Sequence, residues 1–300
     1  METLGFTVGM RHTGSKGMKN ELIGVETEDE IVLHGALYEA DPKKLAVIIQ
    51  HGAAMNFYTG MGRFLPGILT GHGYTCLSAN NRGHDFGTAP DNDKKPVIGL
   101  MRDTFRDCIK DTRALISFMS SRGYKRLVLL GHSQAIPKIV YAQNKAQFPE
   151  VQGLALISPP PSVTQMMRYL ATDDFYERGL FKARELSDLG MGEQLIVLKG
   201  RGTMPWIFTA KTFLDFYGPG TPADTEELVR KVYCPLLISR GSRDFPPVSR
   251  DLVERIKANS VHPDTSLLIE IPGADHFYDG HEEELGNMIV KWLDRLDMNR

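Results

Sequence analysis

The chain has 300 residues, 42% hydrophobic and 24% charged, with a formal net charge of −2. That balance excludes a strongly basic nucleic-acid binder, and no stretch approaches the roughly eighteen apolar residues of a membrane span. Three widely spaced cysteines, Cys76, Cys108 and Cys234, form neither a disulfide framework nor a zinc-binding CxxC pair, and fit a reducing, cytoplasmic setting. The length suits one large α/β domain carrying an insertion.

Residues 1–20 hold four glycines, little periodicity and no apolar run of signal-peptide length, and read as a loose leader. From Leu22, two alternating stretches about the acidic turn Glu28-Asp29-Glu30 predict a pair of strands. Leu45 to Gln50 is short, apolar and rich in β-branched residues, which predicts a buried strand. It empties into His51-Gly52-Ala53-Ala54-Met55, a small-residue loop whose backbone N–H groups are free to face a ligand. A helix follows over 60–70, then a strand at 74–78 and the polar loop Asn80 to Gly87. His84 beside Asp85 has no further ligand at metal-binding spacing, so Arg82 and its neighbours read as a structural loop. Phe105, Ile109, Leu115, Ile116 and Met119 mark a helix over about 102–121 that Gly123 ends.

Leu127-Val128-Leu129-Leu130 then runs straight into Gly131-His132-Ser133-Gln134-Ala135, with a helix-compatible segment to about Gln147. A serine at the tip of a strand–turn–helix is a nucleophile elbow: the sharp turn lifts the side chain above the sheet. The small residues two before and two after it are Gly131 and Ala135, the latter in place of the usual glycine. Another buried strand spans 151–157, closed by Ser158-Pro159-Pro160-Pro161.

For about seventy residues the strand–helix alternation lapses. The segment 160–228 is rich in Met and aromatics, among them Met167 and Trp206, and reads as mainly helical. Such a segment either forms its own small core or acts as a lid lining an apolar substrate cavity. The sheet resumes at 235–239 and runs into Arg240-Gly241-Ser242-Arg243-Asp244. A helix over about 248–258, a strand at 266–271, the loop Pro272-Gly273-Ala274-Asp275-His276-Phe277 and an amphipathic helix over 283–296 complete the chain.

Buried strands alternating with helices predict a mainly parallel sheet covered on both faces, with functional groups beyond the carboxyl ends of its strands. Ser133, Asp244 and His276 each fall just past such an end, in the order Ser…Asp…His. A serine hydroxyl is a weak nucleophile that needs a base, and the base needs an orienting acid. Among competing partners, the elbow turns the His132 ring away, His281 lies on the far side of a loop, Asp275 cannot easily reach back to the His276 ring, and Glu270 lies inside a strand.

These motifs resemble the α/β-hydrolase fold superfamily, in its lidded esterase/lipase and serine-aminopeptidase-like branch, over about residues 22–298. His51-Gly52-Ala53-Ala54 is similar to the family's His-Gly oxyanion loop, Asn81-Arg82-Gly83-His84 to its Arg-Gly-His loop, and Gly273-Ala274-Asp275-His276 to the segment carrying its histidine. The resemblance implies a core of 21–159 and 229–300 with a helical lid at 160–228. It implies Ser133 as nucleophile, His276 as general base and Asp244 as orienting carboxylate. The Ala53 and Gln134 N–H groups would form the oxyanion hole, and Met55, Met167, Trp206 and Phe277 would contact substrate. It implies no metal and no organic cofactor. A serine at the elbow disfavours the branches that attack through a carboxylate. The expected reaction is attack on the carbonyl of a small to medium, moderately apolar acyl substrate. An ester leads, with a thioester or acyl transfer, or a carbon–carbon bond beside a ketone, as alternatives. A hydrolase-fold binding protein with little turnover is the rival of another class.

Overall fold

The apolar runs form an eight-stranded sheet in the order β1-β2-β4-β3-β5-β6-β9-β10. Its strands are β1 (Lys19–Glu26), β2 (Val32–Glu39), β3 (Ala46–Gln50), β4 (Cys76–Ala79), β5 (Leu127–His132), β6 (Val151–Ile157), β9 (Leu236–Gly241) and β10 (Leu267–Ile271). Strands β1 and β2 pair antiparallel with each other, and β2 antiparallel with β4; every later pairing is parallel. The computed structural model describes residues 19–40, 45–89, 96–201 and 205–298. The leader expected at 1–20 lies almost wholly outside these residues.

Because successive residues of a strand face opposite sides, each apolar run feeds two cores. Val47, Ile49, Val128 and Leu130 pack under helices α1 (Met61–Gly71) and α9 (Glu282–Met298). Ile48, Leu129, Leu154 and Leu156 point the other way, against α2 (Cys108–Ser121), α3 (Ala135–Ala146) and α8 (Arg250–Asn259). This division explains why β3, β4 and β5 are buried on both faces rather than alternating. The helix expected at 102–121 is shorter: two 3-10 turns, Leu100–Arg102 and Phe105–Asp107, precede α2.

Between β6 and β9 lie α4 (Val163–Ala171), α5 (Asp173–Asp188), β7 (Leu195–Leu198), β8 (Trp206–Thr209), α6 (Ala210–Thr212), a π-helical turn (Phe213–Tyr217) and α7 (Thr225–Leu228). The sequence reading took this segment as mainly helical; β7 and β8 instead form an antiparallel hairpin. Ile196 and Leu198 are buried while Leu195 and Val197 face out, an alternation too short to register beside the helical stretches. The hairpin docks on α5 at Gly179, where a Cβ would meet Leu198 Cδ2 at 2.3 Å. Phe208, Phe213 and Phe216 are fully buried in the same cluster as α2 and α3, so the insertion shares a core with the sheet layer.

Arg82, in the loop after β4, ties three elements together. Its Nε donates to Asp111 Oδ1 on α2 at 2.8 Å, and Nη1 to Asp29 Oδ2 in the β1–β2 turn at 2.9 Å. Asp111 is 1% exposed, so its charge depends on this partner. Replacing Arg82 with Met is expected to cost about 3–5 kcal/mol, the loss typical of stranding one member of a buried ion pair, read from urea unfolding.

Candidate active site

The turn after β5 is set by backbone geometry. Ser133 has φ 52°, in the left-handed region that non-glycine residues rarely adopt. The Ser133 N–H donates to the Ile157 carbonyl at 3.1 Å, and its carbonyl accepts from the Ile136 N–H at 3.0 Å. Strand and helix therefore approach closely. A Cβ on Gly131 would lie 2.9 Å from Ile139 Cδ1, whereas the Ala135 methyl is accommodated, 1% exposed. On the other side, a Cβ on Gly52 would crowd Ser133 Cβ at 3.2 Å and His132 Nδ1 at 3.3 Å. Ser133 is thus held outward at the carboxyl end of the sheet.

Asp244 and His276 arrive there on two loops laced to each other. The Ser242 and Arg243 N–H groups donate to the Ile271 and Ala274 carbonyls at 3.0 and 2.9 Å. A Cβ on Gly241 would stand 2.2 Å from the Ala274 carbonyl oxygen, so this crossing requires glycine. The result is a continuous hydrogen-bond chain. His276 Nδ1 donates to Asp244 Oδ1 at 2.7 Å, and His276 Nε2 lies 3.0 Å from Ser133 Oγ. With Nδ1 carrying the proton, Nε2 is left as an acceptor for the serine hydroxyl.

Asp244 is held by more than His276. The Phe245 N–H donates to Oδ1 at 2.7 Å, and Ser158 Oγ to Oδ2 at 2.6 Å. The Tyr278 hydroxyl lies 3.3 Å from Ser158 Oγ and 2.9 Å from Ser239 Oγ. Phe245 stacks on the His276 ring at 4.4 Å between centroids. The sequence analysis did not single out Ser158, Phe245 or Tyr278. Position was the available signal for Ser158, which sits just past a strand end as Ser133, Asp244 and His276 do.

The competing candidates have other duties. His132 Nε2 donates to the His276 carbonyl at 2.9 Å, and burial depresses its pKa to about 3, keeping it neutral. His51 is likewise lowered to about 3 by burial; its Nδ1 donates to the Gly52 carbonyl and its Nε2 accepts from the Asn81 N–H. Glu270 pairs with Arg240, His281 with Glu284, and the Asp275 carboxylate accepts from the Phe277 and Asp279 N–H groups. Among the described residues, no group of three His, Cys, Asp or Glu side chains is placed to hold a metal ion.

A narrow cavity of about 40 Å³ opens at Ser133, lined by Ala53, Gln134, Pro160, Val163, Met166, Met167, Leu170, Trp206 and Tyr217. Among the described residues, neither the Ala53 nor the Gln134 N–H has a protein acceptor. Ala53 and Gln134 both line the cavity beside Ser133. The lining takes in Met167 and Trp206 but neither Met55 nor Phe277. Met55 packs instead against Gly60, where a Cβ would meet its Cε at 2.4 Å. Phe277 is 38% exposed and meets the His276 ring edge-on. Tyr217, which the sequence analysis does not name, also lines the cavity.

A family described as the alpha/beta hydrolase family matches residues 46–285, and the chain belongs to it. No curated protein matches the sequence significantly. Among solved structures, the esterase domain of a Rhodothermus marinus protein shares 20% identity at a TM-score of 0.63, covering 93% of this chain and 99% of that one. Est1E from Butyrivibrio proteoclasticus, with ferulic acid bound, shares 17% identity at a TM-score of 0.67, covering 93% and 100%. The alpha/beta hydrolase GrgF from Penicillium sp. sh18 shares 15% at a TM-score of 0.69, covering 94% and 100%. At these identities the structural likeness shows the fold alone; with the family match, it supports a hydrolase, with esterases among the neighbours.

The left-handed conformation at Ser133 predicts a stability difference between two variants. Ser133→Gly relieves the backbone strain that Ser133→Ala retains, so the glycine variant should be about 1 kcal/mol more stable in thermal or urea unfolding.

Proposed function

We propose that the protein is a serine hydrolase that cleaves a carboxylic ester through an acyl-enzyme on Ser133. The observation that carries this reading is the unbroken chain from Asp244 through His276 to Ser133, at 2.7 and 3.0 Å, beside two unspent backbone N–H groups. In this mechanism His276 Nε2 takes the Ser133 proton as Oγ attacks the substrate carbonyl. Asp244 holds the Nδ1–H tautomer and stabilises the imidazolium that forms. The Ala53 and Gln134 N–H groups receive the negative charge that develops on the carbonyl oxygen. His276 then protonates the leaving alcohol, and water deprotonated by the same nitrogen releases the acid.

The insertion acts as a lid in this account. Met166 and Met167 from α4 and Trp206 from β8 roof the cavity over Ser133. A water needs roughly 10–15 Å³ of comparable space, so a cavity of about 40 Å³ admits a short acyl chain, and a longer one requires the roof to shift. The apolar lining and the esterases among the structural neighbours favour an ester over an amide. Cys76, Cys108 and Cys234 are free and buried, which suits a reducing, cytoplasmic compartment. No helix among the described residues is long and apolar enough to cross a membrane.

Hydrolysis of p-nitrophenyl acetate and butyrate tests the proposal. Ser133→Ala and His276→Ala, with folding verified by circular dichroism, should each lower kcat by about a thousandfold or more. A Ser133→Ala variant retaining activity within about tenfold would place the nucleophile elsewhere.

A further inference from the structure

Two side chains beside the nucleophile carry hydrogen-bonding capacity that acyl transfer does not use. Gln134 lines the cavity, and its side-chain Nε2 donates to the Tyr217 hydroxyl. Both residues line the cavity and both are buried, at 8% and 4% exposure. The remaining lining from the insertion is apolar: Val163, Met166, Met167, Leu170 and Trp206.

Tyr217 stands where a phenylalanine would pack equally well. Its ring lies 4.9 Å from those of Phe208 and Phe216 and 6.0 Å from that of Phe213. The backbone is pinned, its carbonyl accepting from Tyr176 Oη at 2.8 Å and Thr164 Oγ1 at 3.0 Å. Burial drives the phenol pKa far above its ordinary value, so the hydroxyl keeps its proton. Burying a hydroxyl and an amide in an apolar wall is costly unless their hydrogen bonds are made.

The valences of the pair can be counted. A primary amide offers two donors and a carbonyl acceptor, and a phenol one donor and one acceptor oxygen. One hydrogen bond between them leaves at least one donor and one acceptor, whichever way the amide is turned. Among the described residues neither side chain has a second partner. Among the described residues, no charged side chain joins the lining, which disfavours a carboxylate or an ammonium as the group recognised.

We propose that Gln134 and Tyr217 form a polar subsite for a hydroxyl or oxo oxygen carried on a short acyl group. The inference rests on the acyl-enzyme reading of Ser133. The acyl portion is the one concerned because it stays in the cavity on Ser133 after the leaving alcohol has departed. The cavity volume limits it to a short chain, and the pair selects within that class.

The experiment compares kcat/KM for p-nitrophenyl butyrate with that for the 2-hydroxybutyrate and 3-hydroxybutyrate esters. Wild type should prefer one hydroxy ester by about tenfold or more, since a group built to hydrogen-bond a substrate hydroxyl discriminates against its absence. In Tyr217→Phe that ratio should fall to near one, with Gln134→Leu as a second variant should the first not fold. A ratio near one for both hydroxy esters in wild type, or an undiminished ratio in the variants, overturns the subsite. Absence of turnover with all three esters counts against the hydrolase reading instead. The subsite is then read from quenching of Trp206 fluorescence by pentan-2-one and its 3-hydroxy and 4-hydroxy derivatives. Binding of a hydroxyketone at least about tenfold tighter, lost in Tyr217→Phe, supports the subsite, and equal binding overturns it.

Discussion

The left-handed turn at Ser133, closed on both sides by neighbours that leave no room for a larger side chain, is the constraint on which the structure depends. A residue at φ 52° holds that conformation only when its surroundings enforce it. Here Gly131 lets the α3 backbone and Ile139 come close, and Gly52 lets the loop after β3 pass beside Ser133 and His132. The same turn points the hydroxyl away from the sheet and leaves the Gln134 N–H at the head of α3. The positions of the Ser133 hydroxyl and the Gln134 amide are therefore one geometric consequence. The strain is of the order of 1–3 kcal/mol, small against the two cores that flank β5.

The remaining groups are held to that turn by polar contacts in a buried setting, where an unmatched donor or acceptor is costly. Asp244 receives hydrogen bonds from His276, Phe245 and Ser158, and Tyr278 links Ser158 to Ser239 on β9. His132, adjacent to the nucleophile in sequence, holds the His276 backbone and stays neutral. His51 does the same for the loop carrying Ala53, anchoring it to Asn81. Each imidazole near the site thus has one assignable role, and only that of His276 faces Ser133 Oγ. Contacts of this kind allow little relaxation, though His132 Nδ1 is buried without a hydrogen-bond partner among the described residues.

Much of this was legible in the sequence, for a specific reason. Short apolar runs marked the strands, β5, β9 and β10 among them, and the residues just beyond their carboxyl ends could be taken as candidates. Ser133, Asp244 and His276 were read that way, and they meet. What periodicity cannot convey is which side chain turns where within a loop. Met55 follows the small-residue loop closely in sequence but packs on Gly60; Phe277 follows His276 but faces outward. Tyr217 lies far along the chain and enters the cavity only because the π-helical turn and its packing against Phe208 and Phe216 aim it there. The β7–β8 hairpin escaped notice because four-residue strands offer too few alternations to outweigh the helical stretches around them. Local pattern located the sheet and its strand ends; the insertion depended on tertiary packing.

The central claim is that the turn, the imidazole and the carboxylate together make Ser133 an activated nucleophile. Intact mass after exposure to a small fluorophosphonate tests this most directly, with wild type compared to Ser133→Ala. The account predicts a single phosphonyl adduct on wild type, mapped to the peptide containing Ser133, and none on the variant. A folded wild-type protein that takes up no label, or a Ser133→Ala variant that labels equally well, would contradict it.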